Sequence, residues 1–124
     1  QIAGSLHDAE LHLVHTRENE AATDSELLVV GILLDAKEHG RNVALEPLWA
    51  VLGSGASAMG SINPYDLIPS SMAYSHYMGS LTTPPCSEIV RWVVMSAPAV
   101  IGELQLDTFR DSVATAVDSQ VQTL

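Results

Sequence analysis

The stretch Ser80-Leu81-Thr82-Thr83-Pro84-Pro85-Cys86-Ser87-Glu88 constrains this chain more than any other. Each proline lacks an amide donor and fixes its own φ, and Thr83 is driven to an extended conformation by the proline after it. Neither a helix nor an interior strand can run through it. The segment is therefore predicted to be a stiff loop that holds two hydroxyls in place. It leads directly into Ile89-Val90-Arg91-Trp92-Val93-Val94-Met95, a β-branched and aromatic run that reads as a strand. A rigid hydroxyl-bearing loop feeding a sheet suits chemistry without naming which.

Elsewhere the pattern alternates between strands and short helices. Residues 9–15 (Ala-Glu-Leu-His-Leu-Val-His) read as a strand with Glu10, His12 and Val14 on one face and Leu11, Leu13 and His15 on the other. Thr16 to Asp24 is polar and reads as a loop. The apolar run 26–34 reads as a buried strand, and Asp35 to Gly40 as a charged turn. Asn42 is placed to cap a helix from about 43 to 52, ended by a flexible Gly/Ser/Ala connection over 53–61. Asn63-Pro64-Tyr65-Asp66 is turn chemistry, 71–79 reads as extended, and Pro98 ends the strand of 89–95. A last helix is predicted over 103–113, followed by a polar, frayed tail over 118–124. The fold class expected is α+β: a mostly antiparallel twisted sheet with short surface helices.

The chain has 124 residues, enough for one domain or part of one, and 47% hydrophobic content supplies a core. Five basic against fifteen acidic residues, a net charge of −10, argue against nucleic acid as a partner, because that needs clustered Lys and Arg. No apolar run reaches the length of a membrane span, and no leader pattern is visible. Cys86 is the single cysteine. It reads either as a half-buried free thiol or as half of a disulfide whose partner lies outside this chain, the second implying an oxidising compartment.

The strand at 9–15 is the second unusual place. A histidine with a carboxylate two positions earlier on the same face suits a metal ligand: one ring nitrogen goes to the metal while the carboxylate holds the other. The same pair also reads as an ordinary hydrogen-bonded couple. His12 and His15 point to opposite faces of a strand and cannot share an ion. His39 and His76 sit in turn or loop contexts and read as solvated. There is no phosphate-binding glycine loop and no nucleophile elbow.

Together, Glu10-Leu11-His12-Leu13-Val14-His15, Leu28-Val29-Val30-Gly31-Ile32-Leu33-Leu34, Gly79-Ser80-Leu81-Thr82-Thr83-Pro84-Pro85-Cys86 and Val90-Arg91-Trp92 resemble the α-class carbonic anhydrases in order and spacing. The resemblance covers most of residues 4–116, and Tyr77 fits it too. It implies a zinc lyase that reversibly hydrates carbon dioxide to bicarbonate. In that family three histidines hold zinc, which lowers the pKa of a bound water to about 7, carbonic anhydrase being the standard instance of this effect. By resemblance His12 is the third zinc ligand and Glu10 the carboxylate behind it. Thr82 would accept a hydrogen bond from the zinc-bound hydroxide and orient it, and Thr83 would contact bicarbonate. Val14, Val29, Leu81, Val90 and Trp92 would form the apolar wall that holds carbon dioxide.

The family pattern is incomplete here. The other two zinc histidines should form a His-x-His strand just before Gly4, where only Gln1-Ile2-Ala3 stand, and the proton-shuttling histidine is also absent. Gly4-Ser5-Leu6-His7 matches the family's Gly-Ser-Glu-His, so Leu6 replaces the glutamate that should accept the Thr82 hydroxyl proton. The connection from His7 to Glu10 is shorter than usual. The expectation is thus a C-terminal portion, incomplete at both ends, that binds zinc only in an intact parent and is inactive by itself. The alternative is a zinc-free, non-catalytic binding module of the same fold. In secreted members a cysteine after the prolines pairs with one near the N-terminus, so the resemblance favours a secreted, periplasmic or lumenal setting for Cys86.

Overall fold

In a computed structural model of the chain, the structure describes residues 4–16, 26–52 and 62–121, with side-chain surroundings as far as 114. The expected loop beyond Thr16, the Gly/Ser/Ala connection and residues 122–124 lie outside the described residues. The chain divides into two compact units: Gln1–Leu34 with Ile68–Ala99, and Asp35–Leu67 with Val100–Leu124.

The first unit is built on a sheet. The strand β1 (Ala9–His15) pairs antiparallel with β2 (Leu27–Lys37), setting Glu10 opposite Leu33, His12 opposite Gly31 and Val14 opposite Val29. On its other side β2 pairs with β4 (Val90–Met95), and β4 pairs antiparallel with β3 (Tyr74–Gly79), giving the order β1-β2-β4-β3. The β2–β4 pair is parallel, with Val29 opposite Trp92. The parallel β2–β4 pairing is possible because the long chain between these strands can return to the same end of the sheet.

The register sorts the side chains. Glu10, His12, Val14, Val29, Gly31, Leu33, Val90, Trp92 and Val94 share one face because opposed residues in a ladder lie on the same side. On that face Leu27, Val29, Val90 and Trp92 form a buried cluster, with Leu81, Ile89 and Val94 packed against it. Each fully buried aliphatic side chain there stabilises by about 1.5–3 kcal/mol. The expectation of a continuously buried β2 holds from Gly31 to Leu34; before that Leu27 and Val29 are buried, Val30 is half-buried and Leu28 is exposed. The edge strand β3 exposes Tyr74, Tyr77 and Met78. It also carries His76, which is solvated as expected but lies in a strand rather than a loop.

In the second unit β2 runs on to Lys37, so the expected turn shortens to the residues after it. The single helix expected over 43–52 is split into a 3-10 turn at Val43–Leu45 and a four-residue helix α1 (Glu46–Trp49). Pro47 fits this break: proline is tolerated only in the first turn of an α-helix, and Pro47 occupies that turn of α1. Asn42 makes no side-chain cap. Its Nδ2 instead donates to the Val100 carbonyl, and its backbone N–H donates to Gln105 Oε1 at 2.9 Å. A second 3-10 turn covers Pro64–Leu67.

A short strand β5 (Ala99–Gly102) pairs with β2 where the sequence suggested only a strand break. It passes directly into α2 (Glu103–Val121), which extends well beyond the expected end near 113 and through most of the expected frayed tail. Leu106 is buried, whereas Phe109 and Val113 remain largely exposed. Gln105 ties the unit together: its Oε1 accepts from the Asn42 and Gly102 amides, its Nε2 donates to the Asn42 carbonyl, and its own carbonyl accepts from Trp49 Nε1. No helix among the described residues is long and apolar enough to cross a membrane.

Candidate functional site

The site grows from the shared face of β1, β2 and β4. Strand alternation puts Glu10 and His12 on the same side, and Glu10 Oε1 lies 3.1 Å from His12 Nε2. The approach is oblique rather than in line with a ring N–H, so it is a close contact and not a hydrogen bond, and buried Nε2 has no hydrogen-bond partner among the described residues. The carboxylate therefore occupies the Nε2 side of the imidazole. A metal reaching His12 would have to use Nδ1.

The His12 ring also meets an aromatic. The His12 and Trp92 rings stand edge to face with centroids 4.7 Å apart, and Tyr77 stacks on Trp92 with centroids 6.3 Å apart. Trp92 is only 5% exposed, and its Nε1–H donates to the Ser80 carbonyl at 3.1 Å. Gly79 makes this possible, since a Cβ there would lie 3.0 Å from the indole Cδ1. The tryptophan thus links the His12 strand to the start of the threonine–proline loop.

That loop is closed on itself. The Leu81 N–H donates to the Ser87 carbonyl at 3.0 Å and the Cys86 N–H to the Thr83 carbonyl at 2.9 Å. The peptide between Pro84 and Pro85 is cis, and Cys86 takes a left-handed conformation with φ of 58°. Leu81 packs on the Trp92 cluster, while Thr82 and Thr83 are exposed.

Of the five expected wall residues, Val29, Leu81, Val90 and Trp92 come together in that cluster. Val14 shares the face but is 61% exposed. Leu6 is 83% exposed and, being apolar, can accept no proton from any hydroxyl. Cys86 is a free thiol and is exposed rather than half-buried.

Among the described residues, no group of three or more His, Cys, Asp and Glu side chains is gathered to hold a metal. Zinc needs three or four protein ligands. The described residues fit one ligand with a carboxylate beside it and do not fit a whole zinc site. Sequence reasoning missed Gly31, although its place in an otherwise β-branched strand, where glycine often marks a close approach, was a usable signal.

The chain has relatives of known kind. It is 38% identical over 129 residues to carbonic anhydrase 7 of Homo sapiens, covering 96% of this chain and 49% of that protein. It is 34% identical over 128 residues to a carbonic anhydrase of Neisseria gonorrhoeae, covering 100% of this chain and 48% of the relative. A structure of the α-carbonic anhydrase of Thermovibrio ammonificans, solved with the inhibitor sulfanilamide, matches with a TM-score of 0.72 at 33% identity, over 85% of this chain and 45% of that one. The chain spans about half the length of the relatives it matches. The profile described as eukaryotic-type carbonic anhydrase matches residues 1–124, and the chain belongs to that family.

Proposed function

We propose that this chain is the His12-bearing, C-terminal portion of a zinc-dependent carbonate dehydratase, and that by itself it neither holds zinc tightly nor hydrates carbon dioxide. The observation that carries the reading is the Glu10–His12 contact of 3.1 Å on the same sheet face as the Trp92 cluster. In this reading His12 is a metal ligand through Nδ1 and Glu10 fixes its ring. Thr82 and Thr83 supply hydroxyls that orient the attacking oxygen and the bicarbonate product. Val29, Leu81, Val90 and Trp92, with Val14 at the rim, hold carbon dioxide without competing for it by hydrogen bonding. The exposed Cys86 thiol is half of a disulfide in a secreted, periplasmic or lumenal parent.

A second reading is favoured by one residue. With Leu6 in place of a carboxylate, Thr82 lacks the acceptor that would fix its hydroxyl direction, which suits a non-catalytic binding module of the same fold. The test is zinc stoichiometry and carbon dioxide hydration measured together on the 124-residue chain. Substoichiometric, easily chelated zinc and a hydration rate equal to buffer are expected. One tightly bound zinc per chain with robust hydration would overturn the proposal.

A further inference from the structure

The strand β1 ends the strand order: it pairs with β2 on one side and, among the described residues, with no strand on the other. An edge strand presents a row of unpaired N–H and C=O groups, and proteins blunt such edges with proline, lysine or a bulge. The run Ala9-Glu10-Leu11-His12-Leu13-Val14-His15 has neither proline nor lysine. Its apolar side chains are incompletely covered as well: Leu11 and Leu13 are half-buried and Val14 is exposed.

We propose that this edge takes a second copy of this chain, the two β1 strands pairing antiparallel about a two-fold axis through Leu11. Symmetry leaves few registers to weigh. Pairing edge to edge as one continuous sheet keeps each face on its own side, so opposed residues share a face and the axis passes through a residue. Centring on Leu11 sets Leu11 against Leu11, Glu10 of each copy against His12 of the other, and Ala9 of each against Leu13 of the other. Every pair is then matched, carboxylate with imidazole and apolar with apolar, and such directly opposed pairs are the unit that stabilises a sheet. Centring on His12 sets Glu10 against Val14 and His12 against itself, and centring on Leu13 sets Leu11 against His15 and His12 against Val14. Both mismatch polar with apolar groups. The Glu10 and His12 side chains are each partly exposed, so both remain open to a second copy. The net charge of −10 on each chain opposes the approach at long range, and salt screens that repulsion.

The experiment begins with sedimentation of the full chain over a concentration series, under reducing conditions, at low and at high salt. The apparent mass is expected to rise with concentration from that of one chain toward twice that, to rise further at high salt, and to stop at two copies. Leu11→Cys, Leu13→Cys and His76→Cys are then compared in a Cys86→Ser background, each oxidised with glutathione disulfide. Residues opposed across an antiparallel pair lie within disulfide reach. Leu11→Cys is therefore expected to cross-link into dimers about tenfold faster or more than Leu13→Cys, which would face Ala9, or His76→Cys on the other edge strand β3. Leu11→Lys sets like charges opposite each other and is expected to sediment as single chains. Cross-linking at Leu13→Cys as fast as at Leu11→Cys would mean another register, and at His76→Cys another edge; either would overturn the proposal. So would growth past two copies, the mark of β1 meeting β3 head to tail. Single chains at every concentration would overturn it too, with slow amide exchange along β1 then showing that a segment of this same chain covers the edge. Should Leu11→Lys not fold, the three cysteine variants still decide the matter.

Discussion

Trp92 is where the account carries most weight, because one side chain meets the His12 ring, anchors the apolar cluster and ties down Ser80. Replacing it with alanine removes a side chain that is 5% exposed. Truncating a buried tryptophan costs about 3–5 kcal/mol, the lost transfer energy plus the cavity left behind. About 1 kcal/mol of that is the Nε1–H bond to the Ser80 carbonyl. Trp92→Phe keeps an aromatic body and loses the donor together with part of the ring, so it should cost about 1–2 kcal/mol. The assay is urea unfolding followed by circular dichroism. With a slope of about 2 kcal/mol per molar, a loss of about 4 kcal/mol lowers the midpoint by about 2 M, and the phenylalanine variant by about 0.5–1 M. A midpoint change below about 0.5 M in Trp92→Ala would refute the packed wall. Equal losses in the two variants would show that the donor, not the packing, dominates.

Further outcomes follow from other parts of the molecule. Gln105→Ala removes three side-chain hydrogen bonds to Asn42 and Gly102 and should cost about 2–4 kcal/mol by urea unfolding, whereas Asn42→Ala keeps the backbone bonds and should cost under about 1 kcal/mol. The Glu46 carboxyl is held below its usual value, first by the hydrogen bond from Arg41, against desolvation and with help from its charge. A depressed folded-state value means that its contribution is present above the ordinary carboxylate value and is lost as pH falls through the folded one. The small midpoint difference between the chain and Glu46→Gln at neutral pH should therefore shrink as the solution is acidified, and a difference that grows would contradict the ion pair. Cys86, exposed and free in this chain, should react with a thiol reagent in the folded state as fast as in urea; marked protection would contradict its placement.

The residues that carried the family resemblance were also those whose local rules are strict. Two prolines and two threonines allow little but a closed loop, and strict alternation around His12 put Glu10 on its face with the strand bounds of 9–15 intact. The cluster of Val29, Leu81, Val90 and Trp92 needed the parallel register of β2 on β4, which no local pattern encodes. The second unit was less legible because its determinants are long-range. Asn42 looks like a cap by composition, yet Gln105, 63 positions away, takes its backbone amide. The strand β5 is four residues of ordinary apolar sequence whose pairing with β2 is decided by tertiary structure. The α2 helix runs past the apolar stripe that marked it in the sequence: Phe109 still meets Trp49, but Val113 is exposed and the residues beyond carry no such stripe.

The most direct measurement joins this chain to the unmatched remainder of the Neisseria gonorrhoeae relative and records zinc content and carbon dioxide hydration with and without His12→Ala. One zinc per molecule is expected, with hydration above buffer that falls to the buffer rate, along with the metal, when His12 is replaced. A zinc-loaded chimera whose hydration is indifferent to His12 would contradict the account.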